Sequence, residues 1–164
     1  MMKHTSYLKY FLIYTCFLLL IQTGCKKDKT YLPIPNAVYL VSNATTGPGS
    51  TASTAITNSA SSKVSTTTAA IARLYVNTLK TFDVTVTYTL SGTAVAGVNY
   101  TAPSQLSITI PAGSWSADIS IPVINTVLTG NKTIIITLAS ATNNTQLGLG
   151  VDRTYKTFTY TLTN

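Results

Sequence analysis

Beyond residue 24 this chain has no histidine and no glutamate, and its one cysteine is Cys25; His4 and Cys16 both lie upstream. The acids are only Asp28, Asp83, Asp118 and Asp152. Each absence removes a class of chemistry. Without imidazole a Ser-His-Asp arrangement lacks its base. Without imidazole and a second thiolate a zinc site lacks ligands. Glycoside hydrolysis by paired carboxylates needs two of the aspartates to meet, and Asp83 and Asp118 fall on outward positions of separate predicted strands. A lone cysteine forms no intrachain disulfide, so stability must come from the core. The expectation is a protein that is not an enzyme, with no catalytic residue, no metal and no cofactor. Charge is also sparse. Residues 25–164 carry nine basic and four acidic residues, a net +5. Three of the bases are Lys26, Lys27 and Lys29; the rest, Lys63, Arg73, Lys80, Lys132, Arg153 and Lys156, are scattered. A nucleic-acid surface needs a dense basic patch with interleaved aromatics, so no nucleic-acid partner is expected.

The N-terminus is built differently from the rest. Lys3 and Lys9 begin it, an apolar run follows from Phe11 to Ile21, and Gln22-Thr23-Gly24 leads to Cys25. The eleven residues of this run fall short of the roughly 20 a bilayer-crossing helix needs. The layout resembles a bacterial lipoprotein signal, cut before a cysteine that then receives lipid; it departs from that form at Gln22, where an aliphatic residue is usual. The expectation is a helical signal peptide over residues 1–24, lipid attachment at Cys25, and a tether over 25–36. Two or three acyl chains hold a protein on a membrane where one does not. The expected place is the bacterial cell envelope, with the outer membrane preferred and its periplasmic or surface face left open.

Residues 37–164 read as one β-domain. Phe82, Val84, Val86, Tyr88 and Leu90 alternate with Thr81, Asp83, Thr85, Thr87 and Thr89, the period of a half-buried strand. Similar alternation marks Leu74–Val76, Leu106–Ile110, Ala117–Val123, Ile134–Leu138 and Phe158–Leu162, with turn residues between. Val38-Tyr39-Leu40-Val41 is a further strand. No segment past the leader keeps helical periodicity for three turns. Residues 42–70 are Ser/Thr-rich, with Lys63 the only charge; loop and weak edge strands near Ile56 and Val64 are both open, and weak edge strands are preferred. The expected architecture is an all-β, antiparallel sandwich of two sheets.

Gly92-Thr93-Ala94-Val95-Ala96-Gly97-Val98-Asn99-Tyr100 resembles the G-T-A-x-A-G-x-D-Y signature of Calx-beta domains. Leu106–Gly113, Thr137–Ala139 and Gln146–Gly148 follow the same family more loosely, so the likeness spans about residues 70–162. It implies an immunoglobulin-like sandwich. Sandwiches of this kind recur in envelope lipoproteins of unknown role in the Bacteroidota, whose Lys-rich start the chain resembles after Cys25. Within the signature Gly97 is the residue for a positive-φ turn, and Tyr100 is placed to turn its ring inward, as a tyrosine corner does. Calcium-binding members use clustered carboxylates, because Ca²⁺ takes six to eight oxygens. Here Asn99 stands where the signature has Asp, and Thr126–Lys132 holds no acid, so tight calcium binding is not expected.

Two aromatics remain as candidate ligand-stacking residues. Trp115, the sole tryptophan, shares parity with Ala117, Ile119 and Ile121, which favours a core cap at a sheet end over a binding platform. Tyr155, like Tyr75, has outward parity. The function expected is a lipid-anchored scaffold or adhesin-like module engaging another envelope protein or a polymer. The alternative is a glycan-binding accessory lipoprotein in polysaccharide uptake, and the membrane is the partner common to both.

Overall fold

The computed structural model describes residues 35–43 and 56–164. The leader 1–24, Cys25 and most of the tether therefore lie outside the described residues. Nine strands appear among those described: β1 Ala37–Ser42, β2 Ser59–Lys63, β3 Ala69–Val76, β4 Val84–Ser91, β5 Ser107–Ile110, β6 Ser116–Pro122, β7 Lys132–Ala141, β8 Gln146–Leu147 and β9 Thr157–Thr163. They form a four-stranded sheet in the order β6-β3-β1-β8 and a five-stranded sheet in the order β2-β9-β7-β4-β5.

Period-two patterning produces this arrangement directly. One face of each strand is apolar and the two apolar faces close on each other, as in packed sheets. Phe158, Tyr160 and Leu162 of β9, Ile134, Ile136 and Leu138 of β7, Val84, Val86 and Tyr88 of β4, and Leu74 and Ile119 from the facing sheet all lie in this core. Threonines fill the outward positions, where β-branching suits the pleat. Some pair across strands, as Thr85 with Thr109 at 2.9 Å and Thr87 with Ser140 at 2.6 Å.

The all-β two-sheet sandwich is as expected, but the pairing is mixed rather than purely antiparallel. β1 runs parallel to β8, with Ala37 opposite Gln146 and Val38 opposite Leu147. β2 runs parallel to β9, from Ser59–Thr159 to Lys63–Thr163. Both parallel partners are about a hundred residues apart in sequence. Alternation reports which face a residue occupies but not the direction of its neighbour, so it carries no signal for these two pairings. Within 42–70 the described residues hold one edge strand, β2, with no large apolar side chain; Ile56 and Val64 flank it, and residues 44–55 lie outside those described. The backbone ladder of β2 to β9 holds it, with a Ser62 Oγ–Tyr160 hydroxyl bond of 2.8 Å and Val64 plugged into the core beyond its end. A polar edge strand also discourages pairing with other chains.

Two strands start later than their alternation predicts. β4 begins at Val84, leaving Phe82 in a turn and 37% exposed; β5 begins at Ser107, leaving Leu106 exposed. At the Phe82 turn, Asp83 Oδ1 accepts the Ala112 N–H at 2.8 Å and so is withdrawn from a strand role.

Candidate functional site

The described chain joins the sandwich at one pole, and this pole is unusually well fastened. Asn77, just past β3, makes three bonds to the incoming segment. Its Oδ1 accepts the Ala37 N–H at 2.9 Å, its Nδ2 donates to Pro35 O at 2.8 Å, and its backbone N–H donates to Ala37 O at 3.0 Å. Lys80 Nζ donates to Asn36 Oδ1 at 2.7 Å and to Thr78 Oγ1 at 2.5 Å. On the other side Gln146 N–H donates to Asn36 O at 2.7 Å. Lys80 is only 7% exposed, and Asn36 Oδ1 and Thr78 Oγ1 are neutral oxygens; burial pushes its ammonium below the ordinary lysine range. An amide and a buried ammonium thus grip Pro35, Asn36 and Ala37.

Two loops cap the same pole. The β3–β4 loop and the β5–β6 turn are tied by Gly113 N–H to Lys80 O at 2.8 Å and by the Asp83–Ala112 bond. They carry Leu79, Phe82 and Trp115, which are 49%, 37% and 36% exposed. Trp115 is at a sheet end as parity suggests, its carbonyl accepting from Val76 N–H at 3.0 Å. It is not the buried core cap expected: it precedes the first residue of β6 and stands 36% exposed.

The outer face of the four-stranded sheet holds a second, smaller apolar cluster. Tyr39 and Tyr75 stack with ring centroids 6.0 Å apart and pack with Val41, while Leu149 and Tyr155 cover them. Tyr75 therefore has the outward parity expected and is nonetheless buried, because this cluster covers it. Tyr155 precedes β9 instead of lying on it. Its backbone is in the left-handed region at φ 60°, its carbonyl accepts from Leu40 N–H at 2.8 Å, and it is half-buried. Trp115 and Tyr155 belong to different features: a polar loop tip and a side cluster. Burial, then the neighbouring Tyr75, raise the Tyr39 phenol above its ordinary value. Beside this cluster Arg73 grips Asp118 in a two-pronged pair, Nε–Oδ1 2.6 Å and Nη2–Oδ2 2.8 Å. That pair, the Asp118 hydrogen bond first, raises the guanidinium further above its usual range.

At the opposite pole the Gly92–Tyr100 loop is explained by contacts. Gly92 lies at φ 115°, and a Cβ there would come within 2.2 Å of Thr133 O, so only glycine fits. Gly97 at φ 78° donates its N–H to Tyr100 O at 2.8 Å, the positive-φ turn expected. Asn99 is buried, and its Oδ1 accepts the Val95 N–H at 2.9 Å. Tyr100 is partly buried against the core.

No protein-family model matches the sequence, and no curated protein matches it. Among solved structures, calcium binding domain CBD12 of CALX1.1 and CBD12 from CALX1.2 each superpose with TM-score 0.52 at 18% identity, over 63% of this chain and 40% of theirs. The apo-form Calx CBD1 domain matches with TM-score 0.52 and 18% identity, over 64% of this chain and 88% of its own. The fold is Calx-beta-like. At this identity the likeness covers architecture alone, and the chain spans two-fifths of the length of the CBD12 structures.

One of those neighbours is a calcium binding domain, and the residues here do not fit calcium. Among the described residues no group of three or more Asp, Glu, His or Cys comes together. Asp118 is bound by Arg73, Asp83 by the Ala112 N–H, and the Asn99 side-chain oxygen Oδ1 by the Val95 N–H. A hard cation wants many uncommitted oxygens, and these are committed. Asp83 precedes β4 and Asp118 lies on β6, each held by a different partner, so the Calx-beta-like sandwich does not present them as a carboxylate pair.

The fastened pole is the feature sequence reasoning missed. Asn77 and Lys80 sit in an aperiodic loop, where no pattern distinguishes a clamp from a solvated side chain. The one available signal was the continuous run Val38–Val41, which marks a strand covered on both faces and so foretells the second cluster.

Proposed function

We propose that this chain is a non-catalytic module of the bacterial cell envelope, attached to a membrane through lipid on Cys25 and acting by binding. Its role is that of a scaffold or adhesin-like part that engages another envelope protein or a polymer. The observation that carries this reading is the five-bond fastening of Pro35, Asn36 and Ala37, which gives a sandwich a firm root where a tether leading from Cys25 would arrive. A domain that is pulled on or displayed needs such a root; a freely diffusing one does not. Support for binding without chemistry comes from Asp83 and Asp118, which serve as structural acceptors, and from the fold's likeness to binding domains. Pull-down from detergent-solubilised envelopes tests it. A reproducible partner that is lost with the sandwich and kept with the Asp118→Asn variant is expected; repeated recovery of nothing counts against it.

One observation favours the glycan-binding alternative: Trp115 is exposed enough to stack on a sugar ring. Tyr155 does not extend that platform, since it is folded over Tyr39 and Tyr75. A glycan array decides between the two, with signal abolished by Trp115→Ala required for the glycan reading.

A further inference from the structure

We infer that the N-terminal pole of the sandwich rests on the bilayer surface, with Leu79, Phe82 and Trp115 entering the headgroup region. This deepens the lipid-anchor reading and rests on it. Four observations converge.

The first is placement. The pole that carries these side chains is the pole where Pro35 emerges. From Cys25 to Pro35 is a step of ten residues, with a maximum reach of about 35 Å. Lipid on Cys25 therefore keeps this pole, of the two, against the membrane. At that separation effective concentrations reach the millimolar range, so an intrinsically weak surface affinity suffices for docking.

The second is chemistry. Nine large apolar residues stand well exposed among those described, and the two aromatic ones, Phe82 and Trp115, are both here. The opposite pole carries aliphatics only: Val95, Val98, Leu106 and Val127. Tryptophan and other amphipathic rings prefer the membrane–water interface.

The third is rigidity. The Gly113–Lys80 and Asp83–Ala112 bonds lock the two loops together, so the apolar side chains are offered from one platform whose ordering cost is met in the folded protein.

The fourth is charge. The two loops hold one cation and one anion. Lys80 is buried in the clamp, and Asp83 is turned onto a backbone N–H. Lys26, Lys27 and Lys29 precede them in sequence, and bases near a leaflet are drawn to anionic headgroups.

Trp115 is the sole tryptophan, which makes the test direct. The full chain is expressed in a bacterial envelope, purified in detergent and inserted into preformed phosphatidylethanolamine–phosphatidylglycerol vesicles, with or without brominated acyl chains. Its N-terminal peptide is weighed by mass spectrometry. With residue 25 acylated, brominated lipid should lower Trp115 emission roughly twofold, because interfacial side chains sit about 5–10 Å deep, and aqueous iodide should quench it poorly. The Leu79→Ser/Phe82→Ser variant changes exposed positions only and should restore iodide quenching while remaining acylated. Equal emission in both lipids with full iodide quenching, on an acylated protein, overturns the docking inference and leaves the anchor standing. An unmodified residue 25 removes the anchor and the docking inference together.

Discussion

Replacing Asn77 with alanine should loosen the root of the sandwich by a predictable amount. Two of its three bonds to the incoming segment are made by the side chain. Ala37 is 2% exposed, so its N–H loses its Asn77 partner inside the protein, at a cost of about 1–3 kcal/mol. The Pro35 carbonyl is solvent-accessible and its lost bond costs about 0.5 kcal/mol. The third bond uses the Asn77 backbone and survives. A total near 2 kcal/mol follows, or about 8 °C in Tm for a domain of this size. Asn77→Asp separates the two bonds: it keeps an acceptor for Ala37 and loses only the donor to Pro35, so its cost should stay below about 1 kcal/mol. Urea denaturation gives the totals. Hydrogen exchange locates the loss, and Ala37 should exchange about 30-fold faster if 2 kcal/mol is removed locally. Asn77→Ala within 0.5 kcal/mol of wild type, with Ala37 protection unchanged, would refute the clamp.

Gly92→Ala should cost more than about 3 kcal/mol, since the new Cβ meets backbone and cannot be relieved by a side-chain rotation, whereas Gly97→Ala, with open space, should cost only the left-handed strain of about 1–2 kcal/mol; thermal denaturation of the pair checks the order. Stability should rise with pH as the ordinary lysine value of 10.5 is approached from below, because the unfolded chain holds the Lys80 proton longer than the native state does. Lys80→Met should flatten that rise in urea titrations at successive pH values. Above the ordinary tyrosine value of 10.0 the sign reverses: Tyr39 and Tyr88 are raised by burial, so the native state keeps protons the unfolded chain has lost, and stability should fall. Calorimetric titration with Ca²⁺ should show no micromolar binding; a micromolar heat lost in Asp118→Asn would mean the Arg73 pair opens to a cation.

The core was legible because it depends on a single period. β4, β7 and β9 could be read residue by residue, since burying one face and wetting the other leaves alternating apolar and threonine positions. Strand starts were not legible at Phe82 and Leu106, where apolar residues continue the pattern past the point at which the ladder ends. β2 was legible only as a possibility, because its strand state comes from backbone bonds to β9 rather than from its own side chains. The two parallel pairings join segments about a hundred residues apart and leave no local trace. The need for glycine at position 92 depends on Thr133 O, an atom forty residues away. Of the candidate residues, Trp115 was placed at the right sheet end with the wrong burial, and Tyr155 was assigned to a strand it only precedes. The clamp depends on Asn77 and Lys80, whose partners Pro35, Asn36 and Ala37 lie about forty residues earlier.

On the function proposed above, the fastening of Pro35, Asn36 and Ala37 matters because Cys25 would be held to a membrane, and Asp83 and Asp118 are committed to structural bonds. The direct test is the mass of the N-terminal peptide of protein recovered from bacterial envelopes. The account predicts a chain that begins at residue 25 with the added mass of acyl chains on Cys25. A bare thiol at that residue, or a leader still attached, would contradict it.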